Sequence, residues 1–170
     1  MGIFDIFKKT EEKEPFNISS PVDGKVIDIK GTNDDLFKTE TLGKGVGIIA
    51  KENTIVAPIS GTISSFFETK HAIAITANNG VEVLIHVGID TVELNGKYFT
   101  ALKKEGDKIK RGENLLRVEF DKISEAGYDN TVLMVVTNTT DYKEIKTLLG
   151  DKYQGDIVIE IEEWNFYENR

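Results

Sequence analysis

Residues 71–92, HAIAITANNGVEVLIHVGIDTV, hold both histidines of the chain on two strand-like runs joined by one turn. Asn78-Asn79-Gly80 accepts the positive φ of tight turns, and the flanks are rich in Ile, Val, Ala and Thr, which predicts an antiparallel hairpin. Loop length then decides which side chains share a face, because successive strand residues point to opposite sides. If Asn79 and Gly80 alone form the loop, His71 falls opposite Gly88 and His86 opposite Ile73, so the imidazoles are diagonal neighbours about 7–8 Å apart or less. A four-residue loop from Ala77 to Gly80 sets them directly opposite. Only a three-residue loop sends them to different faces.

A lone histidine on an apolar strand is commonly a hydrogen-bonded structural residue. Two converging on one face, followed by Gly88-Ile89-Asp90 where the apolar run breaks, make a candidate site. The chain has no Cys, hence no thiol nucleophile, no thiolate zinc site and no disulfide, which suits a reducing cytosol. HExxH and HxH are absent, so a hydrolytic zinc site would need carboxylates to complete it. GxxxxGK(S/T) and GxGxxG are absent too, which argues against a glycine loop cradling a nucleotide. Imidazole chemistry remains: a nucleophile that carries a group, or an acid–base pair. Two neutral imidazoles suit transfer of an anion, one nitrogen accepting a phosphoryl group while the other ring donates a hydrogen bond to its oxygens.

At 170 residues with one continuous pattern, the chain predicts a single domain that buries about 70% of its unfolded surface. Its 21 Lys and Arg against 29 Asp and Glu leave a net charge of −8, which disfavours nucleic acid and anionic membranes and favours a basic protein surface as partner. Residues 1–14, MGIFDIFKKTEEKE, form a flexible or amphipathic N-terminal segment capable at most of weak membrane contact. Residues 15–164 are the domain, and 165–170 a C-terminal tail.

Ser20-Pro21-Val22-Asp23-Gly24-Lys25-Val26-Ile27 is echoed by Ala57-Pro58-Ile59-Ser60-Gly61-Thr62-Ile63-Ser64, an internal repeat offset by 37 residues. The expected fold is all-β: an antiparallel β-sandwich or barrel with a pseudo-symmetric repeat and a few short helices. Residues 105–116 add a turn-rich pair, 131–136 and 156–161 read as strands, and 121–128 and 141–149 read as short helices with Asp121 and Asp141 as N-caps. The glycines of Thr41-Leu42-Gly43-Lys44-Gly45-Val46-Gly47-Ile48-Ile49 predict a strand that another backbone approaches closely. Asp34-Asp35-Leu36-Phe37 places an acidic pair before an exposed Phe.

Phe67-Glu68-Thr69-Lys70-His71-Ala72 and Gly80-Val81-Glu82-Val83-Leu84-Ile85-His86-Val87-Gly88-Ile89-Asp90-Thr91-Val92-Glu93-Leu94 resemble the two histidine motifs of the glucose-family enzyme IIA of the phosphoenolpyruvate-dependent sugar phosphotransferase system. The similarity runs from about Asn17 to about Glu162. It implies a cytoplasmic phosphocarrier that takes a phosphoryl group from the phosphocarrier protein HPr on His86 and passes it to a cysteine of the enzyme IIB of a IIB/IIC sugar permease. It further implies that His71 donates a hydrogen bond to the transferred oxygens and that Thr69, two residues earlier and so expected on the same strand face, orients the His71 ring. Asp34 and Asp90 would flank the site, and Leu36, Phe37, Leu42, Phe67, Leu84 and Val92 would rim it for a docking partner. Gly88 would leave room for the phosphoryl group. Asp35 and Thr41 stand where such proteins usually carry apolar residues, which suggests a narrower docking ring. No cofactor is required, although His71 and His86 could share a zinc ion with a partner's carboxylate in a regulatory complex. Two rivals follow from the same residues: a regulatory module that binds target enzymes according to its phosphorylation state, and a zinc hydrolase using His71, His86 and Asp90.

Overall fold

Pro21 and Pro58 sit at equivalent places in two copies of one turn, and their carbonyls are bound alike: Val56 N–H donates to Pro21 O at 2.8 Å and Ser19 N–H to Pro58 O at 3.0 Å. The two donors, Ser19 and Val56, are 37 residues apart, and so are the two acceptors, Pro21 and Pro58, the offset that relates the sequence copies. The computed structural model describes residues 15–165 and Tyr167. In chain order these form β1 (Asn17–Ser19), β2 (Gly24–Asp28), α1 (Asp35–Lys38), β3 (Lys44–Ala50), β4 (Thr54–Val56), β5 (Gly61–Phe66), β6 (Ala72–Ala77) and β7 (Glu82–Val87). There follow β8 (Phe99–Ala101), β9 (Lys108–Ile109), β10 (Asn114–Val118), α2 (Phe120–Glu125), β11 (Val132–Val136), β12 (Glu144–Thr147), β13 (Gly150–Lys152) and β14 (Ile157–Glu162).

One eight-stranded sheet has the order β13-β2-β3-β11-β7-β6-β5-β9, and two three-stranded sheets have the orders β1-β14-β12 and β4-β10-β8. Reading the large sheet inward from either end gives matching halves, so a pseudo-twofold axis passes between β11 and β7. Gly24 and Gly61 open β2 and β5, and a Cβ on either would stand 2.3 Å from a carbonyl oxygen, that of Ile49 or of Thr76. Both copies therefore need glycine for the same close approach.

The larger core lies between the eight-stranded sheet and the small sheets, where Val132, Met134 and Val136 of β11 meet Ile18, Leu116 and Ile159 in one cluster. The intervening β11 residues, Leu133 and Val135, face the other way into a second cluster with Ile29 and Phe37. Period-two alternation thus buries β11 on both sides. This second cluster is the floor of the site.

The all-β antiparallel architecture with its internal repeat agrees with the sequence expectation, as do the strands over 131–136 and 156–161. Gly45 meets the close-approach reading, since a Cβ there would lie 1.9 Å from Met134 O. Two helical expectations need correction. The helix expected over 121–128 begins at Phe120 after Glu119, so Asp121 lies in the first turn and is not the N-cap. Residues 141–149 are not a helix: a 3-10 turn at Thr139–Asp141 leads into β12, which pairs with β14 through Ile145↔Ile161. Ion pairs Lys143–Glu162 at 3.3 Å and Lys146–Glu160 at 4.0 Å flank that pairing. So short a stretch gains more from a strand ladder that covers Ile145 than from an isolated helix, whose nucleation is costly.

Residues 1–14, on which the amphipathic and membrane-contact expectation falls, lie outside the described residues, as does most of the 165–170 tail. Among the described residues no helix is long and apolar enough to cross a membrane.

Candidate active site

The hairpin takes the register expected to separate the histidines. Pairing of β6 with β7 sets Ala72 opposite His86 and Ile73 opposite Ile85, and the loop is the three residues Asn78-Asn79-Gly80. Ala77 N–H donates to Val81 O at 2.8 Å to close it, Asn79 Oδ1 accepts from Val81 N–H at 3.1 Å, and Gly80 takes φ +92°. His71 therefore stands opposite Val87, whose N–H donates to His71 O at 2.7 Å, and not opposite Gly88.

The rings meet nonetheless. Their centroids are 4.8 Å apart with planes at 86°. His71 precedes β6 by one residue and follows Lys70, whose φ of +59° turns the chain. Strand alternation consequently does not dictate where its ring points. His86 lies within β7 beside Leu133 of β11, on the face that carries the second apolar cluster.

Each ring is held at Nδ1. His86 Nδ1 lies 2.8 Å from Gly88 O. A carbonyl only accepts, so Nδ1 carries the proton and Nε2 keeps its lone pair. His71 Nδ1 lies 2.7 Å from Thr69 Oγ1, in a turn and not along a strand face, so the expected partnership forms by a different route. When the hydroxyl donates, His71 carries its proton on Nε2.

Both rings stay neutral. Burial, reinforced by the positive charge His86 would bring, lowers the His71 pKa to about 4. Burial also lowers that of His86, while its bond to Gly88 O and the charges of Asp34 and Asp90 pull the other way. Asp34 caps α1, accepting from Leu36 N–H at 3.0 Å and Phe37 N–H at 3.3 Å. Asp90 is exposed in a left-handed conformation, φ +60°.

The expected apolar rim divides in two. Leu36, Phe67 and Val92 expose 55%, 45% and 48% of their surface, and the Phe67 ring lies 5.5 Å from that of His71. Phe37, expected to be exposed, is instead 2% exposed, with its ring 5.3 Å from His86 and its body in the second cluster. Leu42 and Leu84 pack against that same cluster, as floor and not rim. Gly88 does more than leave room: at φ +80° it aims its carbonyl at His86, and a Cβ would strike Thr91 Cγ2 at 2.4 Å. Its glycine is required by backbone shape, with Gly88 N–H donating to Thr131 O at 2.9 Å and Thr91 Oγ1 to Val87 O. The sequence reading missed this carbonyl because backbone orientation carries no side-chain signal.

No group of three or more His, Asp or Glu among the described residues could hold a metal ion, so His71, His86 and Asp90 do not make the hydrolytic site considered above. Two imidazoles supply half of a four-ligand zinc shell, and other donors would have to come from a partner.

Residues 16–142 match the model of the family described as phosphoenolpyruvate-dependent sugar phosphotransferase system, EIIA 1. The chain belongs to this family. It is 43% identical over 125 residues to the PTS system beta-glucoside-specific EIIBCA component of Bacillus subtilis (strain 168), covering 74% of this chain and 20% of that one. It is 38% identical over 148 residues to the PTS system glucose-specific EIIA component of Bacillus cereus, covering 87% of this EIIA chain and 88% of that protein. Among solved structures it resembles glucose permease IIA from Mycoplasma capricolum, with TM-score 0.80 and 32% identity over 84% of this chain and 93% of that one. This EIIA domain thus spans about a fifth of the length of the EIIBCA relatives and most of the length of the free-standing ones.

Proposed function

We propose that this EIIA-family chain is a cytoplasmic phosphocarrier of a sugar phosphotransferase system, with His86 as phosphoryl acceptor. The observation that carries the proposal is the hydrogen bond from His86 Nδ1 to Gly88 O at 2.8 Å, which leaves Nε2 as a neutral nucleophile beside a second imidazole. In the first step the Nε2 lone pair attacks the phosphorus of phosphohistidine on HPr. The new N–P bond forms as the old one breaks, its electron pair returning to the donor ring. In the second step a cysteine thiolate of an enzyme IIB attacks the same phosphorus, and the pair of the His86 N–P bond returns to Nε2.

His71 acts chiefly in the second step. With Thr69 donating to its Nδ1, its Nε2–H reaches the phosphoryl oxygens and stabilises the charge that spreads over them in the transition state. Asp34 and Asp90 favour a positively charged His86 ring yet repel a dianionic phosphoryl group, so the carrier holds its cargo weakly and releases it. The exposed Leu36, Phe67 and Val92 beside these carboxylates suit brief docking of a basic partner surface.

A reconstituted mixture of phosphoenolpyruvate, enzyme I, HPr and this chain tests the proposal. Labelled phosphate should appear on the chain as an acid-labile, base-stable adduct that His86→Gln does not form. Acid-stable phosphate on Ser or Thr, or labelling that survives His86→Gln, would refute it.

A further inference from the structure

Four hydrogen bonds converge on a residue outside the histidine motifs. Asp129 Oδ1 accepts from Thr131 N–H at 2.9 Å and from Thr131 Oγ1 at 2.6 Å. Its Oδ2 accepts from Asn33 Nδ2 at 2.9 Å, and its backbone carbonyl accepts from Ile89 N–H at 2.9 Å. We propose that Asp129 is a positioning residue for His86, joining the two loops that wall the pocket and so fixing the direction of the Gly88 carbonyl. The proposal rests on the reading of His86 as acceptor only for its consequence in transfer; the geometry stands without it.

A purely local role covers part of this pattern. An Asp that accepts from the residue two positions on is a common turn device, and the Thr131 bonds satisfy that description. The other two bonds go elsewhere. Asn33 lies 96 residues away and immediately precedes Asp34, the cap of the helix that sets Phe37 against His86. Ile89 directly follows Gly88, and Gly88 N–H in turn donates to Thr131 O at 2.9 Å. The peptide that holds the critical carbonyl, through Ile89 N–H, and the one before it, through Gly88 N–H, are thereby tied to the backbone carbonyls of residues 129 and 131, while the opposite wall is tied to the Asp129 carboxylate. A Cβ on Gly88 would approach Asp129 O to 3.0 Å, which shows how closely these backbones pack.

The connection runs through geometry and not through charge. Asp34 and Asp90, not Asp129, are the carboxylates whose fields act on the His86 ring. Burial works against ionisation of Asp129, but its bonds from Thr131 and Asn33 hold the carboxyl below the usual carboxylate range. An uncharged isostere can reproduce that role. Asn at 129 still accepts from Thr131 through its carbonyl oxygen, and its amide can face Asn33 if the Asn33 amide flips to present oxygen.

The test is ¹⁵N NMR of histidine-labelled full-length protein, which reads the His86 tautomer with no phosphoryl donor present, paired with the rate of transfer from phosphorylated HPr. Wild type should show protonated Nδ1 and bare Nε2, and Asp129→Asn should match it in both readouts. Asp129→Ala should populate the Nε2–H tautomer and lower kcat/KM about tenfold, the scale set by one hydrogen bond. If Asp129→Ala does not fold, Asn33→Ala, which removes only the long-range side-chain bond, should show the same changes at smaller size. An unchanged tautomer in whichever of these variants folds would overturn the proposal, even where thermal stability falls. So would a shifted tautomer with undiminished transfer, or an Asp129→Asn variant as defective as Asp129→Ala. A failure of phosphocarriage itself would show as no labelling of wild type, with the tautomer result still readable.

Discussion

His71 and His86 bring their rings to 4.8 Å although the β6–β7 pairing assigns the two residues to opposite faces. The contradiction dissolves at Lys70, where a left-handed φ of +59° frees the next residue from strand alternation. One histidine is thus held rigidly inside a strand and the other at a bend, each anchored at Nδ1. The division matches their proposed roles, since the acceptor nitrogen must be fixed while its neighbour must follow a group that moves.

His71→Gln should still take phosphate from HPr but pass it on at least about 10²-fold more slowly, because the acceptor nitrogen survives and only stabilisation of the transferring oxygens is lost. Single-turnover transfer in each direction checks this. Equal losses in both half-reactions would mean that His71 shapes the pocket and does not assist transfer.

Thr69→Ala removes the partner of His71 Nδ1 and should slow delivery to the enzyme IIB cysteine by up to about tenfold, the scale of one hydrogen bond. Thr69→Ser keeps the hydroxyl and should restore the rate. A Ser variant no better than Ala would assign Thr69 to packing.

Acidification should destabilise the protein through His71. Its folded-state pKa is lowered to about 4 from 6.5, so between those values the unfolded chain binds a proton that the folded one does not. Stability then rises with pH across that window, by at most about 1.4 kcal/mol per pH unit, and is level above it. Urea unfolding of wild type and His71→Gln at several pH values reads the difference. Identical pH slopes from pH 4 to 6.5 would show that His71 is not the group responsible.

The pseudo-twofold axis makes a paired prediction. Gly24→Ala and Gly61→Ala each push a Cβ to 2.3 Å from a strand carbonyl, so each should destabilise by more than about 2 kcal/mol and by similar amounts. If one is neutral in denaturant melts and the other severe, the two turns are not mechanically equivalent.

Much of this was legible from residue types. The repeated Pro and Gly marked both turns, and the alternation of Ile157, Ile159 and Ile161 marked β14, because those features act over a few residues. The hairpin loop was harder. Asn78-Asn79-Gly80 is compatible with several registers, and the bond from Val81 N–H to Asn79 that accompanies the three-residue form is a side-chain choice no pattern dictates. The pairing of Thr69 with His71 was inferred from shared strand faces yet arises in a turn. Phe37 shows a different limit: its acidic neighbours suggested exposure, while its burial depends on Leu133 and Val135, nearly a hundred residues later. The strand β12 was misread as helix because its partner β14, not its own sequence, provides the ladder.

The central claim is that His86 carries the phosphoryl group on Nε2 while Nδ1–H remains bound to the Gly88 carbonyl. Combined ¹⁵N and ³¹P NMR of the histidine-labelled protein, phosphorylated by HPr, measures it directly. The prediction is a one-bond nitrogen–phosphorus coupling at His86 Nε2 with a proton retained on Nδ1. Coupling at His86 Nδ1, or at either nitrogen of His71, would contradict it.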